Sequence, residues 1–142
     1  MKRRTVLKQL SAGAAALALP AWAQSRALVI GQSAAFSGPA AQLGIQLNAG
    51  ARLYFDQLNA AGGINGHQIE LRTADDGYEP DRCKANTDKF IKDDAFALLG
   101  YVGTPTCAAA LPLVNDAKIP FFGPFTGAEI LREPFSKSIF HL

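Results

Sequence analysis

Apolar and polar residues are arranged along this chain in short apolar runs separated by longer amphipathic stretches. Four of the runs are typical of strands, and the second of these alternates with polar residues as a half-exposed strand does. They cover residues 27–31, 68–73, 96–100 and 119–122. A fifth run, at residues 138–142, begins like another strand.

Helical spacing of apolar residues is found between these strands. It predicts helices over residues 47–61 and 81–94. Thr104 can cap a third helix with Pro105 in its first position, and Pro112 is expected to kink or shorten that helix. A capping-box pattern in residues 126–129 predicts a short fourth helix.

Strands that alternate with helices predict an α/β fold, a doubly wound parallel sheet with helices on both faces. Ligands of such sheets collect at the C-terminal ends of the strands, beside helix N-termini. The loops at that edge carry hydroxyl groups suited to a carboxylate or another small anion, on Ser33, Ser37, Thr104, Thr106 and Thr126. Taken alone, Thr104 and Thr126 are better explained as helix caps, a role that is compatible with ligand contact.

The first 23 residues predict an export signal. Basic residues at positions 2, 3, 4 and 8 precede an Ala-rich apolar run at residues 10–19, and residues 21–23 end in the small-x-small pattern of a cleavage site. The Arg3-Arg4 pair also resembles a twin-arginine signal, with the Sec route left open. We therefore expect residues 1–23 to be removed and residues 24–142 to form one periplasmic domain.

The charge balance changes sign once the leader is set aside. The leader contains four of the 14 Lys and Arg and none of the 12 Asp and Glu, so residues 24–142 carry ten basic and twelve acidic residues. No basic stripe remains for nucleic acid or anionic lipid. Nothing after residue 24 is long and apolar enough to span a membrane, so we expect a soluble protein with no nucleic-acid partner.

The two cysteines, Cys83 and Cys107, favour a disulfide in an oxidising compartment, and two free buried thiols are the alternative. Together with His67 and His141 they lack the spacing of a zinc site, and we expect no metal.

Enzyme chemistry has no motif in this sequence. Asp75 and Asp76 are interpreted as a solvated, turn-forming pair and not as a phosphoacceptor or metal site. The glycine-rich residues 100–104 lack the lysine of a P-loop, and no nucleophile motif is present. We expect no cofactor, and a small hydrolase or flavodoxin-like enzyme is the least supported hypothesis.

A series of short motifs, in order and at characteristic distances, resembles the periplasmic substrate-binding proteins of the leucine/isoleucine/valine type. These are the receptors of branched-chain amino-acid ABC transporters. The motifs lie at residues 28–31, 36–39, 59–66, 74–76, 100–106, 119–120 and 125–126. The resemblance implies one lobe of a type I binding-protein fold, with strand order 2-1-3-4-5.

The resemblance also implies a ligand site. The α-carboxylate and α-amino groups of the ligand would be held by Thr104, by the Pro124 carbonyl and by Thr126. Leu43, after the turn that contains Ser37, would shape the side-chain pocket, where relatives for branched-chain amino acids often carry an aromatic residue.

Two departures from the family pattern concern the cysteines and the length. The family disulfide would join the positions of Tyr78 and Gly103, whereas the cysteines lie five and four residues later, which leaves a shifted bridge as the expectation. A full member has a second lobe, and this chain ends at Leu142, near the first expected crossover, so we expect an incomplete clamshell.

Two functions follow from the resemblance. The leading hypothesis is the substrate-binding component of an ABC transporter, which captures a small amino acid or related carboxylate or amide and delivers it to an inner-membrane permease. The alternative is a sensor domain of the same fold that reports such ligands to a signalling partner.

Overall fold

The computed structural model describes residues 26–141, and the predicted export signal lies outside them. Five strands form one parallel sheet in the order β2-β1-β3-β4-β5, which confirms the expected fold and strand order. The strands are β1 (Leu28–Ala34), β2 (Ile69–Asp75), β3 (Ala97–Leu99), β4 (Phe121–Phe122) and β5 (Ile139–Phe140).

Three α-helices connect the first four strands, and a 3₁₀ helix lies between the last two. They are α1 (Ala41–Ala60), α2 (Pro80–Lys92), α3 (Thr104–Ala117) and the 3₁₀ helix Glu129–Leu131. With this strand order, right-handed crossovers place α1 on one face of the sheet and α2 and α3 together on the other. None of the helices between residues 26 and 141 combines the length and apolar character that crossing a membrane requires.

The main core lies between the sheet and the α2–α3 layer. Its largest fully buried side chains include Tyr101 and Phe121, whose rings meet edge to face with centroids 4.9 Å apart. On the opposite face, Phe122 and Phe140 stack at 4.7 Å and are 40% and 46% exposed. The face that carries α1 is therefore less completely covered than the α2–α3 face.

Two element boundaries differ from the sequence prediction. The strand β1 extends to Ala34 and includes Gln32 and Ser33, which are fully buried because their side chains find hydrogen-bond partners inside the fold. The helix α1 begins at Ala41, inside the stretch predicted as a loop. Gly44 permits this early start, because a Cβ at that position would collide with the carbonyl of Ala35.

The predictions for the later helices also need correction. The helix α3 continues past Pro112 to Ala117, so the proline does not shorten it. Its cap position is Gly103, and Thr104 is its first helical residue. The expected capping box at residues 126–129 is absent from the described structure, because the Thr126 hydroxyl accepts from the N–H of Ala128 and the 3₁₀ helix starts only at Glu129.

The expected disulfide is not formed in this structure, in which Cys83 and Cys107 are free and fully buried. The thiol of Cys107 points to the carbonyl oxygen of Tyr101, at 3.7 Å. Cys83 instead interacts with the hydroxyl groups of Ser33 and Thr87. Both thiols belong to the buried core between the sheet and the α2–α3 layer.

Candidate functional site

Two threonine hydroxyls meet at the C-terminal edge of the sheet. Thr104 Oγ1 and Thr126 Oγ1 lie 2.7 Å apart, and either can donate to the other. Thr104 is exposed at the start of α3, and Thr126 is half-buried in the loop after β4. The structure therefore brings together two residues that the resemblance assigned to one ligand site.

Backbone hydrogen bonds hold the two loops in this arrangement. The N–H of Phe125 donates to the carbonyl of Tyr101 at 2.8 Å, and the N–H of Gly103 donates to the carbonyl of Phe125 at 3.2 Å. Val102 and Phe125 thus form a parallel bridge that prolongs the pairing of β3 with β4. The threonine pair consequently rests on backbone pairing and not on side-chain contact alone.

The Pro124 carbonyl lies in the same loop but is already engaged. It accepts a hydrogen bond from the N–H of Thr126 at 2.9 Å. A carbonyl oxygen has two lone pairs, so one remains for a further donor such as an ammonium group.

Leu43 lies across an apolar hollow from the same loop. The hollow measures about 250 Å³ and is lined by Gln42, Leu43, Gln46, Leu47 and Phe125. Leu43 is 51% exposed and Phe125 is 54% exposed, so both offer apolar surface beside Thr126. The position assigned to the ligand side chain therefore adjoins the threonine pair.

Ser37 is occupied elsewhere. Its hydroxyl donates to Asp75 Oδ2 at 2.6 Å, and its N–H donates to Oδ1 of the same carboxylate at 3.2 Å. The structure places Ser37 in the contact between the loops after β1 and β2, not with the threonine hydroxyls.

The acidic pair at residues 75 and 76 is only partly as predicted. Asp75 forms a turn and is partly exposed, and the Ser37 hydroxyl, followed by the N–H groups of Phe36 and Gly77, holds the pKa of its carboxyl group far below the usual range. Asp76 is fully buried, so the expectation of a solvated pair is wrong for it. Burial raises the pKa of Asp76, and hydrogen bonds from Tyr78 N–H and the Ser33 hydroxyl offset part of the rise.

Tyr78 and Arg132 also lie at this edge, and neither was predicted from the sequence as a ligand-binding residue. Tyr78 has a φ of +69°, and its ring packs on Gly103, the residue before Thr104. Arg132 donates to the carbonyls of Ala128 and Thr126. No sequence pattern predicts the left-handed backbone of Tyr78, because this conformation is uncommon for a bulky residue. Arg132 is only one charged residue among several in its segment.

Metal binding finds no support in the part of the chain that the structure describes. Between residues 26 and 141, no three side chains of His, Cys, Asp or Glu converge as a metal site would need. The chemistry available at this edge is hydrogen bonding by hydroxyl, backbone and guanidinium groups.

Comparison with known proteins identifies the family. A family model described as periplasmic binding protein matches residues 27–142. The leucine-, isoleucine-, valine-, threonine- and alanine-binding protein of Pseudomonas aeruginosa is 31% identical over 104 residues, which cover 73% of this chain and 28% of that protein. The chain thus spans less than a third of the length of this relative.

Solved structures agree with this match. A possible leucine/isoleucine/valine-binding protein from Rhodopirellula baltica has a TM-score of 0.74 and 40% identity over 78% of this chain and 30% of its own. The branched-chain amino acid transporter substrate-binding protein of Streptococcus pneumoniae, solved with isoleucine, has a TM-score of 0.75 and 28% identity over 81% of this chain and 33% of its own. The chain therefore belongs to the periplasmic binding protein family, a family of binding proteins and not of enzymes.

Proposed function

We propose that this chain contributes the ligand site of an ABC-transporter substrate-binding protein that captures a small amino acid or related carboxylate or amide in the periplasm. Export by residues 1–23 and delivery to an inner-membrane permease are parts of the same proposal. The observation that carries it is the 2.7 Å contact between the hydroxyls of Thr104 and Thr126 at the start of α3.

The threonine pair is suited to the carboxylate of the ligand. The first turn of a helix has N–H groups without intrahelical partners and a partial positive charge, and both favour an anion. The two hydroxyls satisfy each other in the free protein and can turn their hydrogens towards a carboxylate. The free lone pair of the Pro124 carbonyl then accepts from the ammonium group of the ligand.

The apolar hollow beside this pair takes the ligand side chain. Leu43 and Phe125 both line it, and burying aliphatic surface there contributes roughly 25 cal/mol for each Å² removed from water. Leucine, isoleucine, valine, threonine and alanine, which the relative from Pseudomonas aeruginosa is named for, are therefore the first compounds to test.

An NMR titration of the isotope-labelled chain tests the proposal even where binding is weak. Each of the five amino acids is added in turn, and 3-methylbutylamine, which is leucine without its carboxylate, serves as the matched control. We expect leucine to shift the backbone amide signals of Gly103, Thr104 and Thr106 and those of residues 125–127, and the amine to leave the signals of Gly103, Thr104 and Thr106 unchanged. Equal shifts from both compounds, or no response at these residues with any amino acid, would refute the proposed site.

A further inference from the structure

A second cavity shares Phe125 with the apolar hollow. It measures about 310 Å³ and is lined by Pro124, Phe125, Thr126, Gly127, Arg132 and His141. Unlike the hollow, it has basic side chains in its wall. Because Thr126 lines this cavity and Phe125 lines both spaces, a ligand held at Thr126 is adjacent to both.

The Arg132 guanidinium lines this cavity from an exposed side chain and contacts two backbone carbonyls. Its Nη1 donates to the Ala128 carbonyl at 3.1 Å, and its Nη2 donates to the Thr126 carbonyl at 3.4 Å. A guanidinium has five N–H donors, so three remain for another acceptor. Because these two contacts already restrict the side chain, less conformational entropy is lost when an anion binds.

No carboxylate from the described residues neutralises this cation. The ion pairs between residues 26 and 141 involve Arg26, Arg72, Arg82, Lys89 and Lys92, and Arg132 is in none of them. Glu129 and Glu133 are close in sequence, yet neither forms a salt bridge with it. A cation without a counter-ion among the described residues, beside a cavity at the sheet edge, is suited to an anionic group of the ligand.

His141 completes the wall from the end of β5. Its Nε2 lies 3.0 Å from the Leu131 carbonyl, and since a carbonyl can only accept, this nitrogen carries the proton. The contact ties the end of the sheet to the residue before Arg132. The cavity wall is thus braced at both of its basic residues by backbone carbonyls.

We propose that this cavity binds a second acidic group, so that the protein favours short dicarboxylates and acidic amino acids over ligands with one carboxylate. The inference rests on the proposed function, because the first carboxylate of the ligand occupies the Thr104–Thr126 pair. Thr126 links the two anchors: its hydroxyl contacts Thr104 and its carbonyl accepts from Arg132. The ligand therefore needs only a short carbon chain, which packs against Phe125.

An NMR comparison of glutarate with butyrate tests this inference. The two acids have similar aliphatic chains, and only glutarate has a second carboxylate. At fixed ionic strength, we expect glutarate to shift the Arg132 Nε–H signal and the Gly127 amide and to bind roughly tenfold more tightly than butyrate. Equal dissociation constants for the two acids, or no response of Arg132 to glutarate, would overturn the proposal.

Variants distinguish a direct contact of Arg132 with the ligand from a structural role in which Arg132 only holds the loop. Arg132→Gln should lower the affinity for glutarate more than that for butyrate and so abolish the preference for glutarate, and Arg132→Lys should retain part of the preference. Arg72→Gln, which changes an exposed arginine on the edge strand β2, is the matched control and should keep the full preference. An equal loss of affinity for both acids in Arg132→Gln would show that Arg132 only holds the loop and would contradict the inference.

The same data distinguish failure of this inference from failure of the proposed function. If glutarate shifts Arg132 while neither acid shifts Thr104, the second subsite stands and the threonine site is wrong. If butyrate shifts Thr104 and glutarate leaves Arg132 unmoved, the threonine site stands and the second subsite is wrong. If Arg132→Gln does not fold, the ratio of the dissociation constants for glutarate and butyrate in the unmodified chain and in Arg132→Lys still tests the inference.

Discussion

The hydroxyl of Ser37 donates a hydrogen bond of 2.6 Å to Oδ2 of Asp75, 38 residues away along the chain. This contact joins the loop after β1 to the loop after β2. The same carboxylate accepts from the N–H groups of Phe36 and Gly77 and pairs with Arg82 at 3.1 Å. Asp75 therefore organises one half of the sheet edge, and the threonine pair belongs to the other half.

Replacing the Asp75 carboxylate should destabilise the loops at this edge of the sheet. Asp75→Asn keeps an acceptor for the backbone N–H groups but loses the charge and the second acceptor, while the side chain is 32% exposed in the native protein. We expect a loss of about 1–2 kcal/mol in the free energy of unfolding at pH 7, measured by urea denaturation. Asp56→Asn, an exposed position on α1, is the control and should change little.

The stability lost in Asp75→Asn should also depend on pH in a defined direction. The pKa of Asp75 is lowered in the folded state, so its contribution is present above the ordinary carboxyl pKa and is lost as the pH falls. The difference between the native chain and Asp75→Asn should therefore shrink between about pH 5 and pH 3. A difference that stays constant over this interval would contradict the assigned network.

Asp76 should behave in the opposite way. Burial raises its pKa, so the folded state holds the proton more tightly than the unfolded chain does. Its stabilising effect is complete below the ordinary carboxyl pKa and is lost as the pH rises through the raised value. We expect the native chain to lose stability relative to Asp76→Asn as the pH rises above about 4. The opposite trend in denaturation curves would show that the Asp76 carboxylate is stabilised as an anion.

The two buried thiols should be present but inaccessible. Burial raises the pKa of Cys83 and of Cys107 to about 12, and only thiolates react quickly with disulfide reagents. A thiol titration at pH 8 should detect almost no reaction in the folded protein and two thiols after denaturation without reductant. Cys83→Ala and Cys107→Ala should each show one reactive thiol after denaturation. A denatured sample with no reactive thiol would show a disulfide in place of the free cysteines.

The sheet was predictable because its strands and helices are marked by local patterns. The apolar runs around Val29, Leu98 and Phe121 were placed correctly, since each is buried in the sheet whatever its neighbours are. The strand order followed from the family resemblance, which the structure confirms.

Local patterns failed where a distant partner decides the structure. Ser33 and Gln32 look like loop residues, but Ser33 bonds to Asp76 and Gln32 donates to the carbonyl of Gly100. Asp76 looks like a solvated acid for the same reason. Burial of a polar side chain depends on partners 40 or more residues away, which hydrophobic periodicity does not encode.

In the candidate site, too, some residues could be predicted from the sequence and others could not. Thr104, Thr126 and Leu43 came from the resemblance, and the structure places them around one loop. Arg132 could not be found from its sequence neighbours, because its role depends on carbonyls whose direction is set by the 3₁₀ helix and the loop before it.

The affinity of Thr104→Val for the tightest-binding of the five amino acids tests whether the Thr104–Thr126 pair binds the ligand. Valine keeps the shape of threonine and removes the hydroxyl, while Thr73→Val, on the exposed edge of β2, is the matched control. Losing a hydrogen bond to a charged group costs about 1.5–3 kcal/mol. We expect a dissociation constant at least about tenfold higher for Thr104→Val and an unchanged one for Thr73→Val. An unchanged affinity in Thr104→Val would refute the role of the threonine pair in binding.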